Sequence, residues 1–358
     1  MPSTTPSCRW VEPGERVSLP DHAKTLANIA NSKGFTFYNG QLAELMVADA
    51  QRHNAPFSLD DFSKHKAEWV APISQQLGEY QLHEIPPNGQ GIMALIALAI
   101  IDRVGLQDYP IDSADSIHLQ VEAIRLAYTQ IERHLADPDY MTLSSQDLLD
   151  PARIDALFKQ IDLPHSVETG HETGASPDTV YLTAADAKGM MVSFIQSNYR
   201  GFGSGIVIPG TGISMQNRGS GFVLENGHPN QVGGGKRPYQ TIIPGFVSRA
   251  NKPALSFGVM GGHMQAQGHL QMMVRLYTYG QNPQAASDAP RWHLTEKGEL
   301  ALEKGFDPLI RRQLNDKGHK TLIDAPEHLF GGAQLIAKLP DGYCGASDHR
   351  KEGLASGY

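Results

Sequence analysis

Apolar and polar positions divide the chain into three zones. Up to about Tyr140 the apolar residues recur at helical spacing. Asp21 stands where it would cap a helix over His22 to Asn31, which Gly34 stops, with Leu26, Ile29 and Ala30 on its buried face. Further helices are predicted over Leu42 to His53, from Leu59 onward, and over Ile92 to Ile101. The last is apolar all round, as a buried helix is. His118 to His134 is amphipathic, with Val121, Ile124, Ala127, Tyr128 and Ile131 on one stripe, and Glu84 to Gly91 reads as a Pro/Gly turn.

From about Ser144 to Pro177 the chain turns polar, and Gly170 to Asp178 shows no apolar period, the pattern of an exposed loop. Strand signal then begins abruptly. Val180 to Ala185 and Met190 to Gln196 flank Asp186-Ala187-Lys188-Gly189, a hairpin pattern. Short strands are predicted at Gly205 to Ile208, Ile213 to Gln216 and Ala254 to Val259, and a helix at Gln265 to Tyr279. Helices followed by strands and then mixed elements imply an α+β fold with a largely antiparallel sheet.

The chain's 358 residues suffice for a large core. A formal charge of -8 and a pI near 6.0 argue against nucleic-acid or anionic-membrane partners. Cys8 and Cys344 lie too far apart for a metal or redox spacing, and they make no disulfide framework. Met1 to Cys8 lacks the apolar stretch of a signal peptide, and Ile92 to Ile101 is too short to span a bilayer. The expectation is a cytoplasmic chain without a membrane anchor.

Two places can carry chemistry. At Asp178-Thr179 a polar loop runs straight into a strand. A threonine freed there as a new N-terminus would carry its own base, because its α-amine can take the hydroxyl proton. Any threonine opening a strand shares this pattern. At Gly258-Val259-Met260-Gly261-Gly262-His263, paired glycines between a strand and a helix let N–H groups converge on an anion, such as the oxyanion of acyl transfer. A plain strand–turn–helix joint has the same pattern. The glycines around Gly201 to Gly205 lack dinucleotide spacing, and Gly233-Gly234-Gly235-Lys236-Arg237 lacks the Ser/Thr of a phosphate loop. His263 and His269 are off one helix face, and His171-Glu172 lacks a second histidine, so neither a metal nor a cofactor is predicted.

Many short segments, in order, resemble the γ-glutamyltransferase (γ-glutamyltranspeptidase) family of N-terminal-nucleophile hydrolases. They include Leu19 to Leu26, Phe37-Tyr38-Asn39-Gly40, Ile85 to Gly91, and His118 with Glu122-Ala123. Later come Phe202 to Gly205, Pro209 to Ile213, Met260-Gly261-Gly262 and Ala289-Pro290-Arg291-Trp292. The resemblance implies a four-layer αββα sandwich, here incomplete at the N-terminal side, and a zymogen that cuts itself. It implies two regions: 1–178, helix-rich and ending in a cleavage loop, and 179–358, bearing the nucleophile.

Laid on the family without gaps, Thr179 falls on the nucleophile, Ser197 on its second catalytic hydroxyl, and Gly261 and Gly262 on the oxyanion pair. Cleavage would fall between Asp178 and Thr179. The implied partner is a small amide, with the two cleaved pieces staying together and a homodimer open.

Two departures bear on the substrate. The family's acidic strip, which grips a substrate ammonium, reads Gln216-Asn217-Arg218-Gly219-Ser220-Gly221-Phe222. A carboxylate is lost at Gly221 and a guanidinium gained at Arg218, which moves preference toward a carboxylate. The strip Arg237-Pro238-Tyr239-Gln240-Thr241, with Gln196-Ser197-Asn198-Tyr199, looks more like the oxamate amidohydrolase branch. Tyr199, Arg218, Gln240 and Thr241 are the expected substrate contacts. Gamma-glutamyl amides such as glutathione, small carboxylate amides, and a silent scaffold role stand as the functional readings.

Overall fold

The computed structural model describes residues 12, 14–166, 178–322 and 324–358. They form two compact units.

The smaller unit comprises residues up to Glu68 together with Ser204–Met215. Its helices are α1 (Pro20–Asn31), α2 (Phe35–Asn39), α3 (Gln41–Arg52) and α4 (Leu59–Ser63). Leu42, Met46 and Ile208 make its core. Pro20 occupies the first helical position, so α1 opens ahead of Asp21, which lies in the first turn and caps nothing. The inward face of α1 centres on Thr25, whose hydroxyl donates to the Thr211 carbonyl at 2.8 Å. Leu26 and Ala30, expected inside, are exposed. The strands expected over 205–208 and 213–216 reduce to a single bridge between Val207 and Ser214.

The larger unit spans Trp69–Gly203 and Gln216–Tyr358. It contains β1 (Ile73–Leu77), β2 (Tyr80–Glu84), α5 (Gly91–Val104), α6 (Ala114–His134), α7 (Ser145–Leu148), α8 (Pro151–Phe158), β3 (Asp178–Ala185) and β4 (Met191–Tyr199). There follow β5 (Gly245–Arg249), β6 (Lys252–Met260), α9 (Met264–Met273), α10 (Pro283–Asp288), β7 (Trp292–Leu294) and β8 (Leu300–Leu302). The last are α11 (Pro308–Asp316), β9 (Thr321–Leu322), β10 (Gly332–Leu339) and β11 (Gly342–Ser347). An antiparallel sheet runs β1-β2-β5-β6-β10-β11. The β1–β2 hairpin lies in a zone whose pattern is mainly helical. Each strand has only five residues, too few for alternation to stand out. Within the polar zone, Ser144 and Asp150 cap α7 and α8.

Strand β6 carries the layering. Phe257 and Val259 face α9, where they meet His269 and Gly268, while Ser256 and Gly258 face the β3–β4 hairpin. There Thr183 and Ser256 share a hydrogen bond and the Tyr181 ring covers Gly258. The order is therefore helix, sheet, sheet. The outer face of the hairpin is exposed: Val180 keeps 55% and Phe194 45% of its surface. A fourth layer over that face is not among the described residues of this unit.

Helix α5 is the apolar centre, with Ile92 to Leu98 fully buried. The expected stripe on α6 is buried throughout. Gln267 and Gln271, one turn apart on α9, bind the N–H and C=O of Leu294 and Trp292 respectively, at 2.8–3.2 Å. Two side-chain amides thus stand in for a neighbouring strand along β7. Among the described residues, no helix is long and apolar enough to cross a membrane.

Candidate active site

The hairpin β3–β4 sets Thr179 and Ser197 side by side. A bulge falls between Asp178 and Thr179: Thr179 pairs with Ser197 while Asp178 pairs with Tyr199. Thr179 is 7% exposed, and its Oγ1 donates to Ser197 Oγ at 3.1 Å. Ser197 Oγ also accepts the Tyr199 N–H at 2.8 Å. The rest of the expected cleavage loop, 167–177, lies outside the described residues.

The layer contacts bring the glycine turn to the same level. Thr183 faces Ser256, and Tyr181 faces Gly258. Continued by the same step of two, strand geometry would bring Thr179 toward Met260, the residue before Gly261. Gly261 and Gly262 have φ of 139° and 61°, conformations that disfavour side chains. A Cβ at Gly261 would meet Gly331 Cα at 3.0 Å. Their carbonyls accept the Met264 and Gln265 N–H groups of the first turn of α9.

Arg218 lies in a short turn and is 7% exposed. One guanidinium nitrogen donates to Thr241 Oγ1 at 2.6 Å. Nε and Nη2 are buried without a partner among the described residues. The guanidinium sits 4.7 Å from the Tyr199 ring centre. Burial pulls its pKa down to about 10, against the pull of the Tyr199 and Tyr239 hydroxyls. Tyr199 itself has φ of 78°, a costly conformation for a residue with a Cβ.

Gly221 explains why the strip carries no acid at this point. A Cβ there would lie 2.5 Å from the Tyr239 carbonyl oxygen. The expected contact Gln240 bonds to its own neighbour: its Oε1 accepts the Thr241 N–H at 3.1 Å.

Gln90 closes the circuit and carries no signal of its own in the sequence. It is fully buried. Its Nε2 donates to the carbonyls of both Thr241 and Gly262, at 2.5 and 2.8 Å, and its Oε1 accepts the Tyr239 hydroxyl at 2.7 Å. Tyr239 stacks on His263, whose pKa burial pulls down to about 4. A continuous path of contacts thus joins Thr179, Ser197, Tyr199, Arg218, Thr241, Gln90 and Gly262.

His118, Glu122 and His319 form a buried cluster with metal-ligand chemistry, which linear spacing hides because His319 is remote in sequence. Its groups bond to one another and to the protein. His118 Nδ1 meets His319 Nε2 at 2.8 Å, His118 Nε2 donates to the Asp162 carbonyl, and Glu122 binds Arg125 and Ser166. The cluster ties α6 to segments around Asp162 and His319.

A model of the gamma-glutamyltranspeptidase family matches residues 4–358. The chain is 33% identical over 352 residues to a glutathione hydrolase-like YwrD proenzyme of Bacillus subtilis, covering 96% of this chain and 67% of the relative. It is 34% identical over 354 residues to an oxamate amidohydrolase proenzyme of Klebsiella pneumoniae, covering 97% and 66%. The fold matches a crystal structure of cephalosporin acylase from Bacillus halodurans with a TM-score of 0.88 and 42% identity, over 94% of this chain and 63% of that one. The chain spans about two thirds of the length of these relatives.

Proposed function

The chain belongs to the gamma-glutamyltranspeptidase family, and on that premise we propose that it is an amide hydrolase whose nucleophile is Thr179, freed by cleavage after Asp178. The observation that carries the reading is the Thr179 hydroxyl, held by Ser197 and linked by contacts through Arg218 and Gln90 to the Gly262 carbonyl. In the uncut chain, Thr179 Oγ1 adds to the Asp178 carbonyl, its proton passes to the Thr179 nitrogen, and the peptide C–N bond breaks, leaving an ester and a free amine. Water then cleaves the ester, giving the Asp178 carboxylate and restoring the Thr179 hydroxyl.

That amine, with an ordinary pKa near 8, then serves as base. It takes the Oγ1 proton as the oxygen bonds to the substrate carbonyl. The N–H groups of Gly261 and Gly262 hold the oxyanion. The amine next gives its proton to the leaving nitrogen as the C–N bond breaks. Water, or an acceptor amine, attacks the acyl ester by the same relay and releases the acyl group.

Cleavage would leave one shared sheet. Strands β1 and β2 belong to 1–178, and β2 pairs with β5 of 179–358. The two pieces are therefore expected to stay together.

For the substrate, Arg218 favours a small amide bearing a carboxylate, as in oxamate, over one gripped by its ammonium. Two guanidinium nitrogens, buried without a partner among the described residues, call for an anion. Gamma-glutamyl amides remain the comparison substrate. Intact-mass spectrometry tests the chemistry: two pieces matching 1–178 and 179–358 are expected. Thr179→Ala is expected to stay whole and inactive. Normal cleavage in that variant would overturn the proposal, and an uncut, inactive wild-type chain would favour a binding or scaffold role.

A further inference from the structure

We infer that Gln90 is a positioning residue that fixes the span between the anion-binding shelf and the oxyanion turn; the inference rests on the function proposed above. One amide nitrogen holds the Thr241 carbonyl, and Thr241 in turn anchors Arg218 through its hydroxyl. The same nitrogen holds the Gly262 carbonyl. That carbonyl belongs to the residue whose N–H is assigned to the oxyanion. Gln90 cannot swing away, because its Oε1 is held by the Tyr239 hydroxyl and its backbone N–H donates to the Gln240 carbonyl at 2.8 Å. The amide must keep this orientation, since only its NH₂ end can serve two carbonyls.

A fixed span matters most for a short substrate. Where the carboxylate is bonded directly to the scissile carbonyl, as in oxamate, the distance from anion to oxyanion is set by covalent geometry. A site with a drifting span cannot engage both ends together. A longer donor, with several rotatable bonds between carboxylate and amide, can follow the drift. Gln90 thus bears on which chain lengths are accepted, a role distinct from holding the fold together.

The experiment compares wild type, Gln90→Ala and Tyr239→Phe, the last removing only the hydroxyl that holds Gln90 Oε1. Hydrogen exchange followed by mass spectrometry is expected to show faster exchange in Gln90→Ala at both 237–244 and 258–266. Exchange at α6 and at β3–β4 should be unchanged. Kinetics with oxamate and with a glutaryl or γ-glutamyl anilide should show kcat for oxamate falling at least tenfold more than kcat for the longer donor. Tyr239→Phe should shift the same ratio in the same direction by a smaller factor. Exchange unchanged at both segments, or raised across the whole chain, would overturn the inference, as would equal loss on both substrates. Activity persisting in Thr179→Ala would instead remove the proposed function. If wild type hydrolyses neither amide, the exchange result alone decides the place of Gln90.

Discussion

Ser197 Oγ receives two hydrogen bonds at the head of the hairpin, from the Thr179 hydroxyl at 3.1 Å and from the Tyr199 N–H at 2.8 Å. The second bond fixes the serine, and the first holds the threonine oxygen in place beside it in the uncut chain. Ser197→Ala leaves Thr179 free to rotate within its rotamers. The expected result is a loss of about a hundredfold in kcat, the scale of losing one well-placed hydrogen bond in an acyl-transfer site. Ser197→Thr keeps the hydroxyl and should retain most activity. Steady-state kinetics, with melting temperatures to confirm folding, decide the matter. Equal activity in wild type and Ser197→Ala would remove the serine from the site.

Arg218 should discriminate between substrates. Removing one partner of a buried charge pair costs about 2–5 kcal/mol. Arg218→Ala is therefore expected to lower kcat/KM for a carboxylate-bearing amide such as oxamate by on the order of a hundredfold. Arg218→Lys should recover only part, because a point charge cannot present the planar fork. An amide lacking a carboxylate should be affected far less. Parallel losses on both kinds of substrate would place Arg218 outside the binding site.

Gly221 offers a steric test of the same shelf. A Cβ at this position would stand 2.5 Å from a backbone oxygen, that of Tyr239, which no rotamer change relieves. Gly221→Ala is expected to cost about 1–3 kcal/mol in urea unfolding, the range of overpacking. Activity should fall with it, since Tyr239 adjoins Gln240 and Thr241. Gly221→Asp should behave alike and gain no activity on ammonium-bearing donors. A variant that instead acquired such activity would show that the strip can move aside.

The site was legible in part. The family resemblance, not any local pattern, singled out Thr179, Ser197, Tyr199, Arg218, Thr241 and Gly262, which the contact path through Gln90 joins. Gln90 was not legible as a functional residue. Its partners lie around Tyr239 and Gly262, and its own segment, a turn within the family resemblance, assigns it no role. The hairpin Ile73–Glu84 was hidden by short strands whose burial depends on β5 and α5. Leu26 misled because the inward face of α1 centres on Thr25, whose hydroxyl binds the Thr211 carbonyl across the unit. In each case a tertiary partner, absent from any local window, decided the outcome.

The glutamines on α9 carry a stability expectation. Gln267 and Gln271 each satisfy one N–H and one C=O of β7. Replacing either by leucine keeps much of the volume but strands two buried backbone groups. Each such group costs about 1–3 kcal/mol. Gln267→Leu and Gln271→Leu should each lower the urea midpoint clearly without changing the denaturant slope. Midpoints within error of wild type would mean that β7 finds other partners.

Buried histidines should make the protein acid-sensitive in a defined window. His293 and His319 have their pKa values pulled by burial from 6.5 down to about 4 and about 3. Their folded-state values are depressed, so the fold holds the neutral rings. The unfolded chain takes up protons near pH 6.5, while the native state refuses them until much lower pH. Their stabilising contribution is therefore full above pH 6.5 and is lost as pH falls toward 4 for His293 and 3 for His319. At pH 5 each would contribute about 2 kcal/mol less than at pH 7. His319→Gln can still donate to His118 Nδ1, the acceptor implied by the His118 bond to the Asp162 carbonyl. Its unfolding free energy should therefore fall less steeply between pH 6.5 and 4.5 than that of wild type, measured by urea titration at each pH. Identical slopes in the two proteins would mean that His319 is not a source of the acid sensitivity.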